Sequence, residues 1–156
     1  MLSHQGSRPL TSQRLLLRPF AAGDAQDMFL GWCSDPLVVR HLSWPHHQSI
    51  QTTSAVLHSW LEAGRRSDTY RWGITLAAEG DHVVGSIDVV AQNDSLLCAE
   101  VGYALSHRLW GQGIMTEALV LVEDYLFQCG YLRISACHDV EIPASGRVMQ
   151  KAGMQY

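Results

Sequence analysis

The 156-residue sequence lacks the patterns that most directly identify a nucleotide- or metal-dependent protein. It contains no Gly-Lys pair, so the G-x-x-x-x-G-K-[ST] phosphate loop is excluded. Its four cysteines form neither a CxxC pair nor a zinc-ligand spacing, and we interpret them as reduced thiols of a cytosolic protein. His46 and His47 form the only histidine pair, and adjacent residues rarely ligate one metal ion. No metal site is therefore predicted.

Long apolar runs and charged residues are also scarce. No uninterrupted apolar run reaches the roughly 18 residues that a membrane span needs, and the N-terminus MLSHQGSRPL lacks the apolar region of a signal peptide. Charged residues make up 17% of the chain, and the net charge of −4 argues against nucleic acid as a partner and favours a basic or amine-bearing one. The missing apolar run argues against a membrane as a partner. Because 47% of the residues are apolar, we expect one cytoplasmic domain with a single sizeable core over residues 1–156.

The stretch Cys98–Ala118, CAEVGYALSHRLWGQGIMTEA, is the most informative part of the sequence. It starts as a strand, passes through a glycine-bearing turn and becomes a helix at about Ile114. Arg108, Gly111 and Gly113 match the phosphate-binding pattern R/Q-x-x-G-x-G/A, whereas the dinucleotide fingerprint G-x-G-x-x-G is not completed. The N–H groups of the first helical turn and the helix dipole suit an anion, and glycine lets the backbone come close to it. The sequence therefore predicts a phosphate-binding loop here.

Three stretches together resemble one known family, the GNAT acyl-CoA N-acyltransferases, and within it the RimJ/RimL-like branch that includes ribosomal-protein N-terminal acetyltransferases. Glu100–Tyr103 followed by Trp110–Ala118 resembles the branch's central strand and pyrophosphate loop. Leu10–Phe20 resembles its first strand, and Ser145–Met154 resembles its final helix. The three matches occur in the right order and span almost the whole chain.

Periodicity and turn residues predict an element order that agrees with this resemblance. Residues 1–9 are expected to be a loose leader. The predicted elements are a strand at Arg14–Phe20, a helix capped by Asp24 and reaching about Cys33, a helix capped by Ser49 and reaching Gly64, a hairpin of Tyr70–Ala77 and Val83–Val90, a strand at Leu97–Leu105, a helix at Ile114–Gln128, a strand at Tyr131–His138 and a helix at Pro143–Ala152. The expected fold is α/β of the α+β type: the GNAT fold, with a mixed, mostly antiparallel central sheet flanked by helices and a parallel strand pair at the cofactor site.

The resemblance also predicts an incomplete sheet, because the chain ends at Tyr156, where the family begins its last strand. That strand normally pairs with the one predicted at Tyr131–His138. An uncovered edge invites association, so either a longer native product or a homodimer is expected.

The resemblance implies acetyl-CoA as co-substrate and no metal. The pyrophosphate is expected on the loop and the pantetheine arm along the preceding strand. The implied cofactor-binding residues are Tyr103, Ala104, Leu105, Arg108, Trp110, Gly111, Gln112, Gly113, Ile114, Met115, Ile142 and Ser145. The branch usually carries asparagine where this chain has Ile142, and losing that hydrogen bond would weaken cofactor binding by up to about tenfold.

Two residues are the implied catalytic groups. Glu100 is expected to act as general base toward the amine, directly or through a water, and Ser145 to protonate the leaving thiolate. Gly102 is expected to lie at a bulge whose backbone N–H receives the developing oxyanion. The segment between the first two helices walls the acceptor site in this family, so Arg40, Trp44 and His46 are candidate substrate contacts.

Three functions remain open at this point. The first is acetylation of a protein or peptide N-terminal α-amine. The second is acetylation of a small-molecule amine such as an antibiotic, a polyamine or an amino acid. The third is a non-catalytic acyl-CoA-binding regulatory module, which Ile142 and the short C-terminus favour.

Overall fold

A six-stranded sheet organises the protein, whose computed structural model describes residues 2–40, 44–136 and 153. The strands follow one another across the sheet in chain order. They are β1 (Leu10–Thr11), β2 (Leu15–Arg18), β3 (Arg71–Leu76), β4 (Val83–Asn93), β5 (Cys98–Leu105) and β6 (Arg133–Ala136). The first four pairings are antiparallel, and β5 and β6 pair in parallel. The predicted mixed sheet with one parallel pair is confirmed.

Helices cover both faces of this sheet. On one side lie α1 (Ala25–Met28), which continues as a wider turn through Cys33, α2 (Pro36–Val39) and α3 (Ile50–Ala63). On the other side lies α4 (Ile114–Cys129). Two apolar clusters result: a main core between the sheet and α4, and a second core that includes Met28, Trp32 and Leu57 under the first three helices. Within the described residues, no helix has the length and apolar character needed to cross a membrane.

Local sequence signals explain both ends of α4. Gly113 precedes it and Gly130 follows it, both with left-handed backbone conformations that favour glycine. Ala118, Leu119 and Val122 recur at helical spacing and are fully buried against the sheet. The burial of each larger apolar side chain is worth about 1.5–3 kcal/mol, so this face fixes α4 and the loop before it against β5.

The irregularity expected at Gly102 lies on the neighbouring strand instead. The β4–β5 register shifts between Val89 and Ala91, which places an extra residue, Val90, opposite Glu100 and Val101. A Cβ added to Gly102 would lie only 2.8 Å from Val90 Cγ1. The bulged valine of β4 lies over Gly102, so a side chain at position 102 would have to displace it, and the prediction of a bulge in β5 itself was wrong for the described pairing.

The N-terminal segment is not a loose leader. Ser3 donates its backbone N–H to the Cys129 carbonyl at 2.7 Å. The Tyr125 hydroxyl donates to the Gly6 carbonyl at 2.6 Å, and the Trp72 indole donates to the Arg8 carbonyl at 2.7 Å. The partners of this segment come from distant parts of the chain, so its local sequence did not predict the attachment.

Asp24 lies at the start of α1 but does not cap it through its side chain. Its carboxylate accepts the Ala21 N–H at 2.7 Å and two hydrogen bonds from the Arg18 guanidinium, each 2.9 Å long. Ser49 does cap α3, because its side chain accepts the Thr52 N–H. The first capping prediction was wrong because the guanidinium of Arg18, six residues earlier, and the Ala21 N–H occupy the carboxylate instead of the N–H groups of α1.

Candidate active site

The predicted phosphate-binding loop has the backbone that an anion site requires. Gly111 has φ +77° and Gly113 has φ +76°, both in the left-handed region. The first hydrogen bond of α4 runs from the Glu117 N–H to the Gly113 carbonyl, so the N–H groups of Ile114–Thr116 lie outside the helical ladder. A Cβ at Gly111 would meet nothing within 4 Å, which leaves the approach to this backbone open. The loop therefore fits a pyrophosphate group.

Some side chains of this loop are buried in the core, and others form hydrogen bonds that hold the loop in place. Ile114 and Met115 are buried in the main core, so only their backbone faces the loop. The Gln112 side-chain amide donates to the Arg108 carbonyl at 3.2 Å, which closes the loop on itself. The Trp110 indole donates to the Leu105 carbonyl at 2.9 Å and ties the loop to the end of β5. The buried pair and these two hydrogen bonds position the loop.

Arg108, the predicted charge partner of the phosphates, makes a two-pronged ion pair with Glu79. The two hydrogen bonds are 2.6 and 3.1 Å long, and both side chains are largely exposed. Hydrogen bonding and the nearby charge hold the pKa of Glu79 below its ordinary value. A phosphate would have to compete with Glu79 for this guanidinium, whereas the N–H groups of Ile114–Thr116 lie outside the helical ladder.

A second arginine, which the sequence reasoning did not single out, supports the loop from the position just before β2. Arg14 donates to Glu117 of α4 at 2.9 Å and to the Gln112 carbonyl at 3.0 Å. Its Nη2 lies 3.5 Å from the position that a Cβ on Gly113 would occupy. Ser12 also donates its hydroxyl to Glu117. The available sequence signal was Glu117 in the stretch Thr116-Glu117-Ala118, but its partner Arg14 lies 103 residues away in sequence.

Replacing Glu117 with glutamine is expected to lower the free energy of unfolding by about 1–2 kcal/mol at pH 7. A hydrogen bond to a charged group is worth about 1.5–3 kcal/mol, and the partial exposure of Arg14 and Glu117 reduces this value. Burial by itself would raise the pKa of Glu117, but the donors Ser12 and Arg14 outweigh burial and hold that pKa below its ordinary value. The stabilisation is therefore present above the unfolded-state pKa of about 4.3 and is lost as pH falls through the lower folded-state pKa.

Urea unfolding at pH 7, 5, 4 and 3 measures this difference. The exposed Glu62→Gln variant is the control, with an expected change within about 0.5 kcal/mol. A Glu117→Gln penalty that stays constant as pH falls below the folded-state pKa would show that the ionised carboxylate is not the stabilising form.

The strand before the loop presents two different faces. Tyr103 and Leu105 pack on the main core beside α4, whereas Ala104 packs on the second core. The recorded β5–β6 pairing runs as far as Val101 with Ala136, and β5 continues past it to Leu105. The end of β5 and the N-terminus of α4 thus meet at one place, which suits an extended ligand that lies along the strand and ends at the loop.

Glu100 lies on the β5 face opposite Val101. Val101 is buried in the main core, and alternation along the strand places Glu100, Gly102 and Ala104 toward the first three helices. Glu100 is half-buried and stands in register with Ala91 of β4 and Ser135 of β6. The carboxylate is therefore on the other side of the strand from the α4 core.

The candidate acceptor contacts lie on this second side. Arg40 follows α2 and is exposed, and Trp44 is partly buried against the second core. His46 is half-buried, but its neighbour His47 is buried and its Nδ1 is 2.7 Å from Thr53 Oγ1. Burial and the neighbouring His46 lower the pKa of His47 below its ordinary value. His47 therefore has a packing role that the sequence did not distinguish from that of His46.

Two predicted residues, Ile142 and Ser145, lie outside the described residues. Their assignment as cofactor contact and thiolate donor stays a prediction. In the described part of the chain, no group of three or more His, Cys, Asp or Glu side chains is arranged to hold a metal ion.

Comparison with known protein families gives a match over nearly the whole chain. The family described as acetyltransferase (GNAT) domain matches residues 14–155. The uncharacterized N-acetyltransferase YoaA of Bacillus subtilis (strain 168) is 27% identical over 147 residues, which is 94% of this chain and 82% of that protein.

Solved structures show the same fold. RimL, a ribosomal L7/L12 alpha-N-protein acetyltransferase solved with coenzyme A, superposes with a TM-score of 0.81 at 19% identity, over 93% of this chain and 82% of that one. The microcin C7 self immunity acetyltransferase MccE, solved with acetyl-CoA and AMP, superposes with a TM-score of 0.80 at 15% identity, over 91% of this chain and 79% of that one. At these identities the likeness concerns the fold alone.

Proposed function

Because the chain belongs to the acetyltransferase (GNAT) family, we propose that it transfers the acetyl group of acetyl-CoA to the N-terminal α-amine of a protein or peptide. One observation carries the proposal. A single strand, β5, places Glu100 and Gly102 toward the first three helices and leads directly into the left-handed glycine loop at the start of α4. A base and an anion-binding loop on one continuous segment are what acetyl transfer from a phosphate-bearing thioester requires.

The choice of an α-amine rests on the cost of deprotonation. An α-amine has a pKa of about 7.7–8.0, whereas that of lysine is about 10.4. At pH 7, removing the proton costs about 1–1.4 kcal/mol for an α-amine and about 4.6 kcal/mol for lysine, at 1.36 kcal/mol per pKa unit. One carboxylate is sufficient for the first cost. The RimL structure, which is named as an alpha-N-protein acetyltransferase, has the same fold.

Each residue then has a defined part in the reaction. The backbone N–H groups of the loop hold the pyrophosphate of the substrate, and the end of β5 orients its arm. Glu100 takes one proton from the acceptor ammonium, so that the nitrogen can form the new C–N bond as the thioester C–S bond breaks. Ser145 supplies the thiolate with a proton, which is replaced from the attacking nitrogen.

A thiol-release assay with acetyl-CoA and a panel of amines tests the proposal. The panel contains four acceptors. Two are peptides: one with a free N-terminus, and the same peptide with its N-terminus blocked and one internal lysine. The other two are spermidine and a free amino acid. We expect the first acceptor to have the highest kcat/KM. Preference for spermidine or the free amino acid would indicate a small-molecule acetyltransferase. Acetyl-CoA binding without turnover of any amine would indicate a regulatory module.

A further inference from the structure

One peptide group of the glycine loop is held by an arginine from the other end of the chain. Arg14 donates from Nη1 to the Gln112 carbonyl at 3.0 Å and from Nε to Glu117 of α4 at 2.9 Å. Its own backbone carbonyl accepts the Ala77 N–H at 2.8 Å, which fixes Arg14 beside the end of β3. The guanidinium is a planar fork of donors, so it connects α4 and the loop in one defined geometry.

The hydrogen bond to the Gln112 carbonyl determines where the next N–H points. Every peptide bond of the described residues is trans. A trans peptide is planar, so the C=O of Gln112 and the N–H of Gly113 point in opposite directions. Because the carbonyl is turned toward Arg14, the Gly113 N–H is turned away from the guanidinium.

This N–H and the two before it are available to a ligand. In the part of the chain that the structure describes, the backbone N–H groups of Gly111, Gln112 and Gly113 donate to no protein acceptor, and all three residues are exposed. Gly111 and Gly113 have left-handed φ values on either side of Gln112. Successive N–H groups in such a turn form a concavity that binds anions.

Building on the proposed use of acetyl-CoA, we infer that Arg14 is a positioning residue for the pyrophosphate. By holding the Gln112 carbonyl, it aims the Gly113 N–H at the phosphate oxygens. Without this hydrogen bond the peptide can flip, because Gly113 tolerates either sign of φ, and the flipped peptide presents a carbonyl oxygen to the phosphate. Arg14 thus acts through the loop backbone while its charge stays paired with Glu117.

Two substitutions separate the two contacts of Arg14. In Arg14→Gln the amide nitrogen takes the place of Nε, so a donor to Glu117 remains and the donor to Gln112 is lost. In Arg14→Lys the ammonium reaches the region of the outer guanidinium nitrogens, so a donor to Gln112 remains and Nε is lost. Arg66→Gln, in an exposed pair with Asp68, is the control for removing a positive charge.

Calorimetry and amide NMR spectra measure the effect of each change. In wild type we expect the Gly113 amide proton to move downfield on addition of acetyl-CoA, and that of Gly130, at the other end of α4, to stay in place. Arg14→Gln should raise the Kd of acetyl-CoA roughly tenfold, the scale of one hydrogen bond to a charged group, and remove most of the Gly113 shift at saturation. Arg14→Lys should keep the shift and a Kd within about threefold of wild type. Arg66→Gln should match wild type in both.

Four results would overturn the inference. The first is a wild-type Kd for Arg14→Gln. The second is a weaker Kd with the Gly113 shift intact, which would assign the effect to charge alone. The third is an equal loss in Arg14→Gln and Arg14→Lys, which would leave only a structural ion pair with Glu117. The fourth is an unshifted Gly113 amide in wild type that binds acetyl-CoA, and it decides the matter even if Arg14→Gln does not fold.

The same measurements distinguish this inference from the proposed function. If wild type does not bind acetyl-CoA, the proposed co-substrate and the role of Arg14 fail together. If wild type binds acetyl-CoA but acetylates only a small-molecule amine, the α-amine proposal fails, and the binding experiments still decide the role of Arg14.

Discussion

Replacing Gly111 with valine is expected to weaken acetyl-CoA binding by at least 2 kcal/mol, about thirtyfold in Kd. Gly111 has φ +77°, and a Cβ there would project into open space, where the phosphates are proposed to approach the backbone. A β-branched side chain blocks that approach and also disfavours the left-handed conformation that aims the loop N–H groups. Isothermal titration calorimetry with acetyl-CoA measures the loss.

Gly80→Val is the matched control for this experiment. Gly80 has the same φ of +77° and likewise nothing within 4 Å of an added Cβ, but it lies in the turn between β3 and β4. It should also incur backbone strain, because valine disfavours a positive φ, and leave the Kd of acetyl-CoA nearly unchanged. A folded Gly111→Val variant with wild-type affinity would refute the assignment of the loop to the pyrophosphate.

Replacing Glu100 with glutamine is expected to lower kcat/KM for the α-amine peptide by about 100-fold at pH 7. Glutamine keeps the shape of the side chain and removes the base, and loss of a general base typically costs about 10²–10⁴-fold. The lower end is expected because an α-amine is already partly neutral at pH 7. The loss should shrink toward pH 9, where the amine no longer needs a base.

The pH–rate profiles of wild type and Glu100→Gln, measured from pH 6 to 9, separate this role from a structural one. Glu62→Gln, on the exposed side of α3, controls for removal of a negative charge. Its profile should overlay that of wild type. Full activity of Glu100→Gln at pH 7 would assign Glu100 to structure and leave deprotonation to the amine alone.

Elements with strong local signals were predictable from the sequence. The glycines that bound α4, its fully buried face and the Ser49 cap are all written in short stretches of chain, and the structure has them at the expected residues. The loop match required only three residues in register. For α3 the local pattern was less informative, because the buried positions are Thr53 and Leu57 rather than the neighbouring apolar residues.

Contacts between distant residues could not be predicted in this way. Arg14 and Glu117 are 103 positions apart, and nothing near either residue specifies the other. Arg71 and Asp88 meet only because β3 and β4 pair in one register. A charged residue within the apolar run VVGSIDVV was the one available signal for Asp88. The bulge in β4 likewise depends on how β4 and β5 pair. The sequence therefore drew attention to Gly102 but did not show that Val90 of β4 lies over it.

The most direct test of the account uses one peptide that carries both a free α-amine and an internal lysine. After incubation with the protein and acetyl-CoA at pH 7, fragmentation mass spectrometry locates the acetyl group. The account predicts acetylation of the N-terminal residue and an unmodified lysine, with one equivalent of thiol released per acetylated peptide. Acetylation of the lysine alone, or an unmodified peptide while acetyl-CoA binds normally, would contradict it.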